Sequence, residues 1–313
     1  MTYIIGWKSK DSVFLTSDSV ITHSGISNTT GQITSFGESY NAEGKMIRED
    51  TNKILIINDS LCITFSGDVE IAKEILRIVS LIIGKAKVNQ NKITDAFEKA
   101  LIAIRPINDN KIPSFIIAAI VESESLLCSF NVTKKIGLET HKYLVQTGSI
   151  NNLYKSITIE YFKEQISHSM TDETRLVVFN SLIQIYGVHE NLLKQYVGGT
   201  ISGLFLNKKG VFWQEDTCYV IYSIKNQSIN NPMLIRMIVR DNVIITHSPF
   251  NSRTSAFFDI STDIVPNDFE NNWESQWKHQ LNSFNFKYVV FLAKEYRKVT
   301  IVKNIEEDLK GKF

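Results

Sequence analysis

The 313-residue chain has no excess of either charge, few cysteines and no long apolar run. Each lack removes a class of function. Its 34 Lys and Arg stand against 33 Asp and Glu, for a formal net charge of +1, and the basic residues are scattered. A nucleic-acid binder concentrates positive charge to neutralise phosphates, so nucleic acid is not expected as a partner. A membrane-spanning helix needs about 20 apolar residues. The best candidate, Ile71 to Gly84, is interrupted by Lys73, Glu74 and Arg77, so no membrane partner is expected. The chain does not open with the basic-then-apolar pattern of a secretory leader, which predicts a cytoplasmic protein. Its three cysteines, Cys62, Cys128 and Cys218, lie in apolar, strand-like runs. They read as buried thiols in a reducing compartment rather than a disulfide framework. No HExxH, CxxC or close His/Asp cluster suggests a metal, and the six histidines are dispersed. Neither a Gly-rich phosphate loop nor GxSxG occurs, and no cofactor is expected.

What remains is a chain of ordinary globular composition, 43% hydrophobic and 21% charged, long enough to bury a large core. Met1 to Trp7 and Ser12 to Ser19 read as two strands joined by the charged turn Lys8-Ser9-Lys10-Asp11. Residues 20–52 are polar, rich in Gly, Ser, Thr and Asn, and end in charges; they read as a long loop. Strands are expected at Ile54–Ile57 and Leu61–Phe65 around Asn58-Asp59-Ser60. Ser66-Gly67-Asp68 then enters a helix with Val69, Ala72, Ile75, Leu76, Val79, Ile82 and Ile83 on one face. A second helix over 92–104 turns Ile93, Ala96, Phe97 and Leu101 inward and stops at Pro106. Strands at 114–121, 125–132 and 143–146 follow, then helices at 151–164 and 172–186, with Leu176, Phe179, Leu182 and Ile183 inward. Gly198-Gly199 opens a further strand over 200–206, and a turn at 207–210 returns the strand 211–213. Strands, two helices, strands, two helices, strands: this order suggests two sheets packed face to face with a helix pair on each outer face.

Thr2 matters most in the opening strand. If Met1 is removed, the same residue carries a hydroxyl and a free α-amine. A threonine hydroxyl is a poor nucleophile until a base takes its proton, and an N-terminal amine can be that base. Such an amine has a pKa of about 7.7–8.0, suited to work near neutrality. The branched Cβ restricts χ1 and partly aims the hydroxyl. Taken alone, Thr2 reads as the ordinary first residue of a strand rather than as a nucleophile.

Five features in order along the chain decide between these. Ser17-Asp18 ends the second strand, Lys53 starts the next, and Ser66-Gly67 stands at the strand-to-helix turn. Gly148-Ser149 follows a strand, and Gly198-Gly199 enters a core strand. With their spacing from Thr2, these features resemble the β-type subunits of the proteasome and their bacterial relatives, N-terminal-nucleophile (Ntn) hydrolases, over roughly residues 2–215. The resemblance implies an α+β fold, a four-layer αββα sandwich of two packed antiparallel sheets flanked by helix pairs. It implies a threonine-type peptidase or amidohydrolase in which Thr2 Oγ1 attacks a carbonyl and its own amine moves the proton. Lys53 would stay charged beside the hydroxyl and Asp18 would pair with it. The Gly67 N–H would stabilise an oxyanion, and Ser149 would bond near the amine. Relatives self-associate, so a homo-oligomer is expected, with a peptide or small amide as substrate.

The chain departs from that pattern in two places. Where the family has an aspartate and then a serine just before Gly-Gly, this chain has Lys194 and Val197. The segment between Asp18 and Lys53 is longer than the family's. Two alternatives therefore stay open: a small-molecule amidase, and a catalytically inactive structural or binding subunit. Residues 1–222 read as the core, with the loop 20–52 inside it. Residues 223–313 read as a C-terminal extension packed on the core or forming an interface. Within it, 233–239 and 243–247 read as a hairpin, and 288–292 with 298–302 as a closing strand pair. The stretch 248–285 reads as irregular and aromatic-rich, with Phe257, Phe258, Phe269, Trp273 and Trp277.

Overall fold

A computed structural model describes residues 2–24, 33–37, 45–49, 51–104, 113–130, 137–165, 169–190, 197–223, 232–240, 242–250, 253–259, 286–293 and 299–303. These residues form a mixed α+β protein, mostly strand, with four helices.

The first sheet grows from the N-terminal hairpin. β1 (Tyr3–Lys8) and β2 (Val13–Asp18) pair antiparallel, and the turn between them closes with the Ser9 N–H on the Ser12 carbonyl at 2.8 Å. β11 (Leu144–Gly148) lies beside β1; β12 (Ile201–Asn207) and β13 (Gly210–Trp213) extend the sheet beyond β2. Successive side chains on a strand face opposite ways. Tyr3, Ile5 and Trp7 accordingly meet helix residues, whereas Ile4 joins Val13, Leu15 and residues of the second sheet. That second sheet contains β6 (Ile54–Asn58), β7 (Leu61–Ser66), β8 (Ser114–Val121), β9 (Glu124–Phe130) and β10 (Leu138–Thr140), antiparallel throughout in the order β10-β9-β8-β7-β6. Ile4, Leu15, Ile54, Ile116, Leu127 and Leu204 fill the space between the two sheets. At Gly6 the packing leaves no room for a side chain: a Cβ would stand 2.5 Å from Ile116 Cγ2.

Helices α1 (Val69–Ile83) and α2 (Gln90–Ala103) cover the second sheet through Ile75, Leu76, Phe97 and Leu101. Each begins on a side-chain cap that satisfies an orphan N–H: Asp68 accepts from Ile71 at 3.1 Å and Asn89 from Lys92 at 2.8 Å. α3 (Asn152–Gln165) and α4 (Asp172–Glu190) cover the first sheet, with Leu176, Phe179, Ile183 and Tyr186 packed on Trp7, Phe14 and Phe205.

A third sheet lies against the other side of α4. It has seven strands in the order β19-β18-β14-β15-β16-β17-β5. These are β14 (Thr217–Tyr222), β15 (Met233–Arg240), β16 (Val243–Ser248), β17 (Arg253–Asp259), β18 (Tyr288–Ala293), β19 (Val299–Lys303) and β5 (Thr51–Asn52). Val177 and Ile185 of α4 sit in one cluster with Phe36, Tyr219, Ile235 and Phe257. The expected hairpin β15–β16 and the pair β18–β19 are present, and β18 also pairs parallel with β14. Within 248–285, read as irregular, β17 is a regular strand; Phe269, Trp273 and Trp277 lie outside the described residues.

The segment read as a loop over 20–52 also differs. It carries the hairpin β3 (Val20–Ser24) with β4 (Lys45–Glu49), and then β5. Its strands were hidden because they are short and set in a polar, Gly-rich stretch; β3 nevertheless buries Val20 and Ile21. No helix among the described residues is long and apolar enough to cross a membrane.

Candidate functional site

The site forms where the first strand of the chain meets the ends of four others. Thr2 precedes β1 and is buried, 1% exposed. The peptide unit that joins it to Tyr3 is held at both ends. Its carbonyl accepts the Ser149 N–H at 2.9 Å, and its N–H, that of Tyr3, donates to Asp18 Oδ1 at 3.0 Å. Tyr3 lies opposite Gly148 across the β1–β11 ladder. Gly148 has φ +123°, and a Cβ there would collide with the Thr2 carbonyl oxygen. Gly148 is therefore required both by its backbone conformation and by the close approach of Thr2. The Tyr3 phenol bonds to Thr158 Oγ1 at 2.9 Å and to Gln146, and burial raises its pKa above the ordinary value.

Asp18 ends β2 directly beside this peptide. Its Oδ1 also accepts from Lys53 Nζ at 2.7 Å, and its Oδ2 accepts the Gly198 N–H at 3.3 Å. Lys53 donates in addition to the Val20 carbonyl. Both side chains of the pair are 0% exposed. Charges this deep persist only when paired and hydrogen-bonded, and removing one partner costs about 3–5 kcal/mol. For a surface pair such as Arg77–Glu74, with side chains 55% and 45% exposed, the corresponding figure is about 0–1 kcal/mol. The sequence places this costly pair next to Thr2 by ending β2 at Asp18 and starting β6 one residue after Lys53.

Gly67 leaves β7 with φ +119°, packed 3.0 Å from Pro113 Cα by the position of its would-be Cβ. It stands one residue before the cap of α1, where backbone N–H groups point outward and favour negative charge. Ser66 Oγ lies 3.5 Å from Thr147 Oγ1, so the Gly67 turn of the second sheet adjoins the Thr147-Gly148-Ser149 turn of the first. Gly67 and Ser149 are exposed, whereas Thr2, Asp18 and Lys53 are buried. Direct bonds thus join Ser149 to Thr2 and Lys53 to Asp18, the Tyr3 N–H links Asp18 to the peptide that follows Thr2, and Gly67 adjoins them through the contact of its neighbour Ser66 with Thr147. Ser149 meets Thr2 through its backbone N–H. The residue that caps α3 is Asn151, which accepts from the Tyr154 N–H at 3.1 Å.

No known protein-family model matches this chain, and no curated protein matches it significantly.

Two acidic or amide side chains escaped the sequence reading. Glu49, at the end of β4, accepts from the Thr200 N–H at 2.6 Å and from Thr200 Oγ1 at 2.7 Å. Gln184, inside α4, donates to the Gly199 carbonyl at 2.8 Å and accepts from the Ile201 N–H at 2.8 Å. Together they grip the Gly198-Gly199 turn from both sides. Glu49 lies in the charged run Lys45 to Asp50, which reads as the end of a long loop, and Gln184 lies among apolar residues with no partner visible in sequence. Of the departures noted in sequence, Val197 is buried at 1% in the apolar cluster with Phe179, so no hydroxyl stands there; Lys194 lies outside the described residues.

Proposed function

We propose that the chain is an Ntn hydrolase of the proteasome β-subunit type, acting through Thr2 once Met1 is removed. The observation that carries this reading is the fully buried Asp18–Lys53 pair bonded to the Thr2–Tyr3 peptide. On this reading the α1–α2, sheet, sheet, α3–α4 order is the family's four-layer αββα sandwich, and the seven-stranded sheet is an addition outside it.

In the proposed reaction Thr2 Oγ1 attacks the carbonyl carbon of a peptide or other amide, and its hydroxyl proton passes to the Thr2 amine. The positive charge of Lys53 disfavours protonation of that amine beforehand and stabilises the developing negative charge. The Gly67 N–H donates to the oxyanion. The C–N bond then breaks, the departing amine takes the proton from the Thr2 ammonium, and an ester remains on Thr2. Water, deprotonated by the same amine, cleaves that ester and restores the hydroxyl. Asp18 takes no proton; it fixes Lys53 and the first peptide of β1. The enzyme would work in the cytoplasm as a homo-oligomer.

Val197, in place of a hydroxyl beside Gly198, favours a second reading, a catalytically inactive subunit of the same fold. Intact mass decides between them. The purified chain is compared before and after methionine aminopeptidase treatment and then exposed to a β-lactone probe. Loss of Met1 with one adduct mapped to Thr2, abolished in Thr2→Ala and reduced at least about 10²-fold in Lys53→Met, is the expected result. A Met1-free chain that takes no adduct overturns the enzymatic reading.

A further inference from the structure

We propose that Glu49 is a positioning residue of this site, the carboxylate that holds Asp18 and Lys53 in register beneath Thr2. This rests on the reading of Thr2 just given. Glu49 comes from the segment between Asp18 and Lys53, and its carboxylate gathers donors from three parts of the chain. Oε1 accepts from the Thr200 N–H at 2.6 Å, Thr200 Oγ1 at 2.7 Å and Ser19 Oγ at 3.1 Å. Oε2 accepts the Ser35 N–H at 2.7 Å. An ionised carboxylate is acceptor-only and can meet all four donors; a neutral amide would turn an NH2 group towards one of them.

Two routes lead from Glu49 to the candidate reacting group. One runs through the glycine turn. Gly199 has φ +73°, and a Cβ there would stand 2.8 Å from Glu49 Oε1, so the carboxylate seats directly on the turn. The neighbouring Gly198 N–H reaches Asp18 Oδ2. The other runs through the β3–β4 ladder, in which Glu49 lies opposite Val20, whose carbonyl accepts from Lys53 Nζ. Ser19, between Asp18 and Val20, ties the two routes, because its hydroxyl accepts the Thr200 N–H at 2.8 Å as well. Glu49 touches none of the reacting atoms in this scheme; it acts through Asp18 and Lys53.

The test compares the full chain, freed of Met1, with its Glu49→Gln variant. β-Lactone acylation of Thr2 is followed by intact mass and resolved into a maximal rate and an apparent affinity. Hydrogen exchange is followed in the fragments holding Tyr3 and Gly198. The expected result is a maximal rate lowered about 10²-fold with affinity unchanged within about twofold, since a displaced catalytic geometry costs rate rather than binding. The Tyr3 and Gly198 amides should exchange faster while α1 and α2 keep their protection. An unchanged maximal rate overturns the proposal. If the parent protein is not acylated at all, the hydrolase reading fails by itself, and the Tyr3 amide decides: unchanged exchange there overturns the role of Glu49. Should Glu49→Gln not fold, Thr200→Val removes one of the four donors and is expected to move the same two readouts less far, with no movement overturning the proposal.

Discussion

α1 and α4 are both helices packed on a sheet, yet they obey different rules. α1 buries Ala72, Ile75, Leu76, Val79 and Ile83 along one stripe and leaves Leu81 71% exposed on the other side. α4 is buried almost all round: Leu176, Phe179 and Ile183 face the first sheet, and Val177 and Ile185 face the seven-stranded one. A helix is amphipathic when one side has a partner and the other has water. α4 has two partners, so Asn180 and Gln184 lie in the interior and find their hydrogen bonds there. Asn180 accepts from Thr16 Oγ1 at 2.7 Å and donates to Gln214 Oε1 at 2.6 Å, while Gln184 holds the turn before β12. The lesson is that α4 acts as a beam shared by two sheets, whereas α1 and α2 form a cover over one.

The sharpest way to break this comparison is to place a charge on the outward face of each helix. Val177→Asp is expected to lower the unfolding free energy by about 4 kcal/mol or more, because an unpaired carboxylate would enter the cluster around Tyr219 and Phe257. Leu81→Asp is expected to change it by no more than about 1 kcal/mol, the cost of helix propensity alone. Urea titration of both variants checks the pair. Similar losses would mean that the seven-stranded sheet does not cover α4 as described.

The same contrast explains what could be read from the sequence. α1 and α2 were legible because their apolar residues recur at helical spacing, although α2 begins at Gln90 on the Asn89 cap, two residues before the expected start. Thr2, Asp18, Lys53, Gly67 and Ser149 were legible as a set only through a resemblance of order and spacing; the geometry pairs Ser149 with Thr2 and Lys53 with Asp18, and the Tyr3 N–H connects the two pairs. The third sheet was not legible as a sheet. β5 is two residues long, yet it pairs parallel with β17 some two hundred positions later in the chain, through Thr51 with Phe258 and Asn52 with Asp259. No local pattern encodes such a pairing, and the residue it precedes is Lys53. Glu49 was hidden for a related reason, since a carboxylate in a charged run declares neither its burial nor its partners.

A smaller effect separates the polar residues of the two helix pairs. Gln184→Leu keeps most of the volume but removes the bonds to the Gly199 carbonyl and the Ile201 N–H, and a buried donor left unmade costs about 1–3 kcal/mol. On the solvent side of α2, Gln90 makes one exposed bond, 3.4 Å to Thr140 Oγ1, and Gln90→Leu is expected to stay within about 0.5 kcal/mol. Thermal unfolding of both variants checks this. Gln184→Leu should also speed hydrogen exchange at Ile201, and unchanged exchange there would remove Gln184 from the account of the turn.

The smallest expected difference is none at all, and it tests whether the beam makes one cooperative unit of the two sheets it touches. Cys62 lies between the two five-stranded sheets, and Cys218 lies in the seven-stranded one. Burial pushes the Cys62 thiol well above its ordinary pKa, with the Asp59 charge adding to the effect, and pushes Cys218 up to about 11 against a smaller opposing effect of Arg236. Because the thiolate is the reactive form, little of either reacts at pH 8 in the folded protein, and labelling waits for opening. In rising urea both thiols should become reactive over the same concentration range, because α4 packs on both sides and β5 anchors the outer sheet to the residue before Lys53. If Cys218 reacts at lower urea than Cys62, the seven-stranded sheet opens by itself, and α4 then belongs energetically to the inner sheets alone. In that case the same charge at Val177 would reduce the stability of the outer sheet only, and the midpoint of Cys62 labelling in Val177→Asp would stay where it is in the parent chain.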